Sequence, residues 1–441
     1  MRKILFILGA GASRSISPKV PLVEDFFEKC LPFLEDPDKH PEIWLAFAIL
    51  EEGRCFQEPN KELENAAAYI MAAHWQLIDF GRMGPGQPNL KDTPAYNRLE
   101  EAHRDLVKHY LKLCGEAPSR TRANLESVFS RAEREERYRF RPILALNFLL
   151  GQLQKEFSTA APHAVLARGI KRWLEREGAK TEVSLLSFNY DVWLERELQR
   201  ERVWHPRMGY GVAFEKFMDL PMARRIEDQQ RRLRESGAGA VEPFSIKQFV
   251  RSFDSQVCVL KPHGSLSWYR HEKSGDSLVM LEEGEDSLVT VNEGRWYLRD
   301  LWGEGQRERT YEPLFVPPAP QKRRKGPLFF EIDKRIDAEL TEADTVVVIG
   351  WSMPKTDLDW ESRIRHVIDH RPRQLQQLIV CNLADSKPED IESVTRIESG
   401  FRPAMPVKIF GSGFENSAEE MWNFLREAKP SVEEVKSQVF S

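Results

Sequence analysis

RKILFILGAGAS, residues 2–13, joins an apolar run to a turn made of glycine, alanine and serine. The run RKILFIL (residues 2–8) predicts a buried β-strand, and the residues after it predict a tight turn into a helix. Glycines in such a turn let the backbone approach a pyrophosphate, and the helix N-terminus offers N–H groups. We therefore predict a phosphate-cradling loop. Its members are Gly9, Ala10, Gly11, Ala12 and Ser13.

The loop departs from the dinucleotide-binding fingerprint GxGxxG, which requires a third glycine where this chain has Arg14. No acidic residue stands at a clear strand end about 20 positions further on. These departures disfavour a dehydrogenase-type site but leave phosphate cradling open. The alternative is a plain tight turn between a strand and a helix.

Three later motifs also follow apolar, β-rich runs. They are LLSFNYDVWLE (185–195), LKPHGSLSW (260–268) and VVVIGWSMPKTD (346–357). In an open parallel sheet, ligands bind at the carboxyl ends of the strands. The four motifs together therefore predict a single site that binds a nucleotide and acts on it chemically.

Two of these motifs supply the candidate catalytic residues. Asn189 is a neutral side chain that can bind a ribose hydroxyl or a water molecule, whereas Asp191 is equally explained as a helix N-cap or as an orienting residue. His263 lies at a strand end beside Gly264, and histidine suits general-base catalysis near neutral pH. The rival histidine, His205, is followed by proline, which favours a loop role.

Weaker signals extend the predicted site. Gly350 and Ser352 follow a strand and are predicted to contact phosphate or ribose, and Asn382 follows the next strand and is predicted to meet the adenosine half. The basic runs 322–325 and 231–234 are predicted to be solvated faces, with phosphate or nucleic-acid binding as the alternative.

Composition sets the class of protein. The 441 residues are 41% hydrophobic and 30% charged, which is ordinary for a globular protein with a large core. A net charge of −5 excludes a global basic field for gripping nucleic acid. No apolar run reaches the roughly 18 residues of a membrane helix, and the N-terminus lacks a signal sequence, so we expect a cytoplasmic protein without membrane contact.

Alternating strands and helices predict an α/β fold with a Rossmann-like parallel sheet. Residues 41–178 are patterned as helix almost throughout, which predicts a large helical insertion. We predict a nucleotide-binding domain formed by residues 1–40 and 180–415, an insertion subdomain at 41–179, and a C-terminal helix and tail at 416–441.

The pattern also predicts individual elements. We expect strands at 182–188, 256–261, 344–350, 377–381 and 406–410, helices at 41–52, 61–80, 94–114, 122–136, 140–156, 161–176, 328–341, 358–369 and 416–428, helical structure over 212–252, β-hairpins within 274–300, and a Pro-rich loop at 313–327. The last helix is predicted to be capped by Asn416 or Ser417.

The five cysteines are scattered, and no two have the Cys-x-x-Cys spacing. A structural zinc site needs paired thiolates, so we predict that the protein holds no structural zinc.

The ordered set GAGAS, SFNYD, KPHGSLSW and IGWSMPKTD resembles the sirtuin-like domains of bacterial antiphage defence proteins. ANLESVFSRAE (123–133) and MGYG (208–211) are also similar to that group, and the resemblance spans about residues 1–415. It implies NAD⁺ glycohydrolysis to nicotinamide and ADP-ribose, with Asn189 and His263 at the catalytic positions. It also implies that Ser13, Ser352 and Asp357 line the substrate NAD⁺.

Three departures from the deacetylase sirtuins favour the hydrolase branch. This chain lacks their four-cysteine zinc module, has Phe188 where they have glutamine, and has Pro21-Leu22-Val23-Glu24 where they have Pro-Asp-Phe-Arg. The alternatives are a sensor that binds NAD or ADP-ribose without turnover, and a protein deacylase or ADP-ribosyltransferase. We further expect a homo-oligomer, because the insertion carries more apolar helix faces than one interface consumes. A separately encoded helicase-like ATPase or Argonaute-type partner is also compatible with the resemblance.

Overall fold

The computed structural model describes residues 2–17, 19–22, 93–116, 136–157, 161–178, 181–214, 216–219, 256–271, 275–280, 289–292, 295–298, 311–317, 326–353, 358–382, 388–401 and 407–427, with isolated positions between 25 and 76 and at 129.

A six-stranded parallel sheet forms the centre of the molecule. Its strands are β1 (Arg2–Leu8), β2 (Thr181–Ser187), β4 (Val257–Leu260), β10 (Thr345–Ile349), β11 (Gln377–Cys381) and β12 (Lys408–Phe410). The order across the sheet is β12-β11-β10-β1-β2-β4, and all neighbours are parallel. The predicted α/β fold with a Rossmann-like parallel sheet is confirmed.

The apolar character of these strands follows from burial on both faces. Ile4 to Leu8 of β1 and Val346 to Ile349 of β10 are at most 1% exposed. Helices cover both faces of a parallel sheet, so its strands carry continuous apolar runs instead of alternating ones. This is why the runs at residues 2–8, 345–349 and 377–381 were recognisable in the sequence.

Helices flank the sheet. In chain order they are α1 (Ala10–Arg14), α2 (Pro94–Glu116), α3 (Glu136–Glu156), α4 (Ala161–Glu177), α5 (Trp193–Arg200), α6 (Pro206–Gly209), α7 (Pro327–Glu342), α8 (Leu358–Asp369), α9 (Pro388–Phe401) and α10 (Phe414–Glu427). Helix α4 packs on β2, α5 and α10, and α7 packs on β1 and α8. None of the helices in the described part of the chain combines the length and apolarity needed to span a bilayer.

The stretch between β1 and β2 contains α2, α3 and α4. The predicted helices at 41–52, 61–80 and 122–136 fall mostly outside the described residues, and the basic runs at 231–234 and 322–325 fall wholly outside them. The division into an insertion at 41–179 and a surrounding nucleotide-binding domain stays a prediction.

Two smaller sheets are formed by strands that lie between α6 and α7 in the sequence. One has the order β3-β6-β5-β9, formed by β3 (Lys216–Asp219), β5 (Gly264–His271), β6 (Gly275–Met280) and β9 (Tyr311–Phe315). The other pairs β7 (Val289–Asn292) with β8 (Arg295–Leu298) as an antiparallel hairpin. The hairpin of β7 and β8 lies within 274–300, where hairpins are predicted, whereas β5, the antiparallel neighbour of β6, lies before that range.

Two sequence predictions are wrong in this region. Strand β3 lies inside 212–252, which was predicted to be helical, and it is held by parallel pairing with β6. Strand β9 overlaps the predicted loop at 313–327. Pro313 is tolerated there because β9 is the edge strand, opposite Tyr269 of β5. In both places pairing with a distant strand overrides local propensity.

The C-terminal region departs from prediction at two points. Helix α9 was not predicted at all. Helix α10 begins at Phe414, so Asn416 and Ser417 lie within its first turn, and neither is the cap. The Ser417 N–H donates to the carbonyl of Gly413 (3.1 Å), and Asn416 Nδ2 donates to the carbonyl of Ser412 (3.1 Å).

Candidate active site

The predicted site residues follow the carboxyl ends of adjacent parallel strands. Gly9 follows β1, Asn189 follows β2, His263 follows β4, Gly350 follows β10 and Asn382 follows β11. The chain leaves β1 toward β2 on one side, whereas β10 pairs with β1 on the other side. This places the topological switch point, where ligands of open α/β sheets bind, between β1 and β10.

The glycines at the switch point are required by contact between two loops. The Gly9 N–H donates to the carbonyl of Ile349 (3.0 Å), and the Gly11 N–H donates to the carbonyl of Gly350 (2.8 Å). Gly350 has a φ of +57°, and a Cβ there would lie 2.1 Å from the Ala12 nitrogen. A Cβ on Gly9 would lie 2.5 Å from the Cα of Trp351. Close packing of the loops therefore accounts for these glycines without a ligand, and their phosphate-cradling role stays a prediction.

Asn189, Ser13 and Asp191 form a directed chain of hydrogen bonds. Asn189 Nδ2 donates to the carbonyl of Gly9 (2.9 Å) and to Ser13 Oγ (2.9 Å), and Ser13 Oγ donates to Asp191 Oδ2 (2.6 Å). A carbonyl and a carboxylate only accept, so the direction of each bond is fixed by its partner. The chain ties the loop after β1 to the loop after β2.

This chain of bonds also fixes the orientation of the Asn189 amide. Both of the hydrogen bonds made by its side chain use Nδ2, so Oδ1 is the atom left to accept a hydrogen bond. No described residue donates to Oδ1, although Asn189 is only 8% exposed. The geometry therefore presents a rigid acceptor that suits a ribose hydroxyl or a water molecule.

A buried ion pair between Lys261 and Glu195 holds Asp191 in place. Lys261 Nζ donates to the backbone carbonyl of Asp191 and to Glu195 Oε1, the latter at 2.7 Å. The Lys261 and Glu195 side chains are 0% and 3% exposed. Burial raises the pKa of Glu195, and the charge of Lys261 opposes that rise. Tyr210 Oη donates to the same Glu195 oxygen (3.3 Å). The pair connects the exit of β4 to the start of α5.

His163 of α4 is buried, and the charges of Asp191 and Lys261 act on its imidazole ring. Burial lowers its pKa to about 4, with Asp191 raising the pKa and Lys261 lowering it to smaller extents. A buried histidine with a lowered pKa is neutral in the folded protein at neutral pH. It takes up a proton in the unfolded chain before it does so in the folded protein.

We expect the free energy of unfolding to fall with acidification because of His163. The unfolded chain binds more protons than the folded protein between the unfolded pKa of about 6.5 and the folded pKa of about 4, so this contribution is present above pH 6.5 and is lost as the pH falls through that window. The loss between pH 7.5 and pH 5 is about 2 kcal/mol. Urea unfolding of the wild type and of His163→Leu at both pH values measures it, and equal pH dependence in the two proteins would contradict it.

His263 occupies a tight turn between β4 and β5. It is 5% exposed, its carbonyl accepts from the Val316 N–H (2.7 Å), and its ring lies 5.3 Å from Phe188 and 6.3 Å from Tyr190, measured between ring centroids. Phe188 and Tyr190 flank Asn189 in the sequence, so His263 and Asn189 lie in the same corner of the sheet. The next residue, Gly264, has a φ of +82°, and a Cβ there would lie 2.3 Å from the Leu314 carbonyl oxygen.

The other predicted residues spread along the sheet edge. Asn382 Nδ2 donates to the carbonyl of Trp351 (2.9 Å), and its buried Oδ1 has no hydrogen-bond partner among the described residues. Ser352 is exposed, and its carbonyl accepts from Arg396 (3.1 Å). Asp357 lies outside the described residues. Their contacts with NAD⁺ stay predictions. The rival His205 is exposed and directly precedes the short α6, and its carbonyl accepts from the N–H groups of Met208 (3.1 Å) and Gly209 (2.9 Å).

Sequence reasoning missed the residues that support the site. The sequence did not indicate a role for Lys261, Glu195 or His163. A motif identifies the residue at the end of a strand, whereas the buried side chains that support this residue come from other elements. One signal was present: Lys261 directly follows the fully apolar strand VCVL, where a solvated lysine is unusual. The described residues contain no group of three or more His, Cys, Asp or Glu side chains placed to hold a metal ion. The absence of zinc stays a prediction.

Comparison with known proteins gives loose structural similarity only. No protein-family model matches the chain. No curated protein matches it either. Similar solved structures include a Sir2 homologue mutant in complex with ADP-ribose, at 12% identity and a TM-score of 0.33, covering 97% of this chain and 92% of that one. A Sir2 homologue in complex with NAD has 12% identity and a TM-score of 0.34, covering 97% and 90%. TM-scores this low say nothing about ligand or activity.

Proposed function

We propose that this protein is an NAD⁺ glycohydrolase, which cleaves NAD⁺ to nicotinamide and ADP-ribose. The observation that carries the proposal is the hydrogen-bonded chain from Asn189 through Ser13 to Asp191, which ties the loop after β1 to the loop after β2 at the carboxyl edge of the sheet. It leaves Oδ1 of Asn189 as a fixed acceptor in the same corner of the sheet as His263. A reaction that positions a water molecule and removes its proton needs such an acceptor and a base close together.

The reaction breaks the bond between the ribose anomeric carbon and the nicotinamide nitrogen, and the bonding electrons leave with the nicotinamide. The pyridinium form is already a good leaving group, so a strong general acid is unnecessary. Positive charge develops on the ribose, and the site must hold the ring and position a water molecule. We assign the ribose or water contact to Oδ1 of Asn189.

A water oxygen then bonds to the anomeric carbon, and one proton must be removed. His263 is assigned as the base that accepts a proton from this water or from a ribose hydroxyl. Asp191 contributes by holding Ser13 and, through it, the Asn189 amide. It is a positioning residue in this mechanism.

Separation of products after incubation of purified protein with NAD⁺ tests the proposal. Equal amounts of nicotinamide and ADP-ribose support hydrolysis, and a cyclic product identifies attack by an internal nucleophile. Saturable binding of NAD⁺ without product, in an activated preparation, would favour the sensor instead. Consumption of NAD⁺ only in the presence of an acetyl-lysine peptide would favour the deacylase.

The biological setting is part of the proposal. We propose an effector of antiphage defence in the cytoplasm, on the resemblance of the four motifs to that group. An unrestrained NADase would deplete the cell, so its activity must be gated by homo-oligomerisation or by a partner. Light scattering at micromolar concentration tests the assembly, and a mass near 51 kDa that is unchanged on activation would contradict the homo-oligomer.

A further inference from the structure

A large cleft lies between α4 and α10, away from the site described above. Its volume is about 510 Å³, and it is lined by residues 165–176 of α4 and 419–426 of α10. Helix α4 ends just before β2 begins, and the Arg2 guanidinium at the start of β1 lies 4.9 Å from the Trp173 ring centroid. The cleft is therefore near the amino ends of the strands, whereas Asn189 and His263 lie at the carboxyl ends.

Four arginines give the cleft a strong positive charge. Arg168, Arg172 and Arg176 recur every four residues and so share one face of α4, and Arg426 faces them from α10. Among the described residues that line the cleft, Glu419 is the single acidic one. Like charges at this spacing repel one another and destabilise a helix. The arrangement therefore favours a bound anion.

These guanidinium groups are weakly engaged by the protein itself. Arg168 and Arg172 are exposed and form no ion pair with any described residue, although the charge of Arg168 acts on Glu197 of α5, where it opposes the rise in pKa that burial causes. Arg176 has one long contact to Glu177 (3.6 Å). Arg426 donates to its own helix, to the carbonyl of Trp422 and to Asn423. Most of the donors are thus left to solvent or to a ligand.

Two buried tryptophans form the floor of the cleft. Trp173 and Trp422 line it and are only 3% and 6% exposed. The indole of Trp422 packs directly on Gly169, where a Cβ would meet the ring at 2.0 Å. The floor of the cleft is thus apolar and fixed.

We propose that this cleft binds a nucleoside polyphosphate. Arginine forks match phosphate oxygens in geometry as well as charge. The volume is that of a small-molecule site and far exceeds the space that one phosphate needs. The guanidinium planes and the indole edges around the apolar floor offer surfaces on which a nucleobase and a ribose can pack. The proposal does not depend on NAD⁺ hydrolysis, because it concerns a different part of the fold.

Calorimetric titration of the full chain with ATP at low salt tests this site. The cleft variant is Arg168→Gln/Arg172→Gln, whose substituted side chains are exposed, and the matched control is the exposed Arg373→Gln, outside the cleft. We expect saturable binding that weakens at least about tenfold in the cleft variant and is unchanged in the control. Binding should also survive in Asn189→Ala, which separates this cleft from the proposed NAD⁺ site.

Several outcomes would overturn the proposal. They are the lack of saturable ATP binding up to about 5 mM, equal loss in the Arg373→Gln control, and loss in Asn189→Ala but not in the cleft variant. Pyrophosphate binding as tightly as ATP would show that the base contributes nothing, which also contradicts a nucleotide site. Binding of a single-stranded oligothymidylate in place of ATP would identify a nucleic-acid surface instead. A negative result in the NAD⁺ cleavage assay would not change the interpretation of any of these binding results.

Discussion

Asn189→Ala is expected to lower NAD⁺ cleavage by at least about 100-fold while the protein stays folded. The change removes the one acceptor oxygen that the hydrogen bonds to Gly9 and Ser13 leave available. It leaves Ser13 its bond to Asp191, so the loops stay tied together. Release of nicotinamide in an activated preparation measures the loss. The exposed Asn416→Ala on α10 is the matched control, with activity like the wild type, because it removes only an exposed hydrogen bond to the Ser412 carbonyl.

His263→Ala is expected to cause a loss of similar size, because removal of a general base costs about 10²–10⁴-fold. The two losses should not add in the double variant, since residues that act on one transition state behave as a unit. Additive losses would place the two side chains in separate steps. Near wild-type turnover of either single variant would refute the assignment of that residue.

The sequence was sufficient for the parts of the fold that are buried on both faces. The strands containing Phe6, Val347 and Ile379 were recognisable because a parallel strand covered by helices is apolar along its whole length. Their exits then indicated Asn189 and His263, because carboxyl ends of parallel strands meet at one edge. Topology brings these residues to the same edge of the sheet, and their catalytic roles stay predictions.

The elements that the sequence did not predict depend on distant partners. Strand β3 exists through pairing with β6, and β9 tolerates Pro313 because it is at an edge. The glycines of the first loop were predicted to make room for phosphate. In the structure they make room for the loop containing Gly350. A glycine in a sequence pattern indicates that a side chain would not fit at that position. Only the fold shows which atoms occupy the space.

Lys261→Met is expected to lower the free energy of unfolding by about 3–5 kcal/mol. Lys261 is fully buried, and its ammonium is 2.7 Å from the Glu195 carboxylate, which is itself 3% exposed. Without the lysine, Glu195 must either stay charged in an apolar environment or take up a proton, and both alternatives cost free energy. The backbone carbonyl of Asp191 also loses its donor. Urea unfolding at neutral pH measures the effect.

Lys334→Met is the matched control, because Lys334 pairs with Glu331 at 3.3 Å with both side chains more than half exposed. An exposed pair of this kind contributes at most about 1 kcal/mol. The double variant Lys261→Met/Glu195→Gln should recover much of the stability that Lys261→Met loses, because it also removes the unpaired buried charge of Glu195. If Lys261→Met costs no more than Lys334→Met, the buried pair is not what holds the Asp191 loop against β4. The double variant could also recover stability without recovering NAD⁺ cleavage. In that case Lys261 does more than stabilise the fold, because its hydrogen bond to the Asp191 carbonyl positions Asp191 for the reaction.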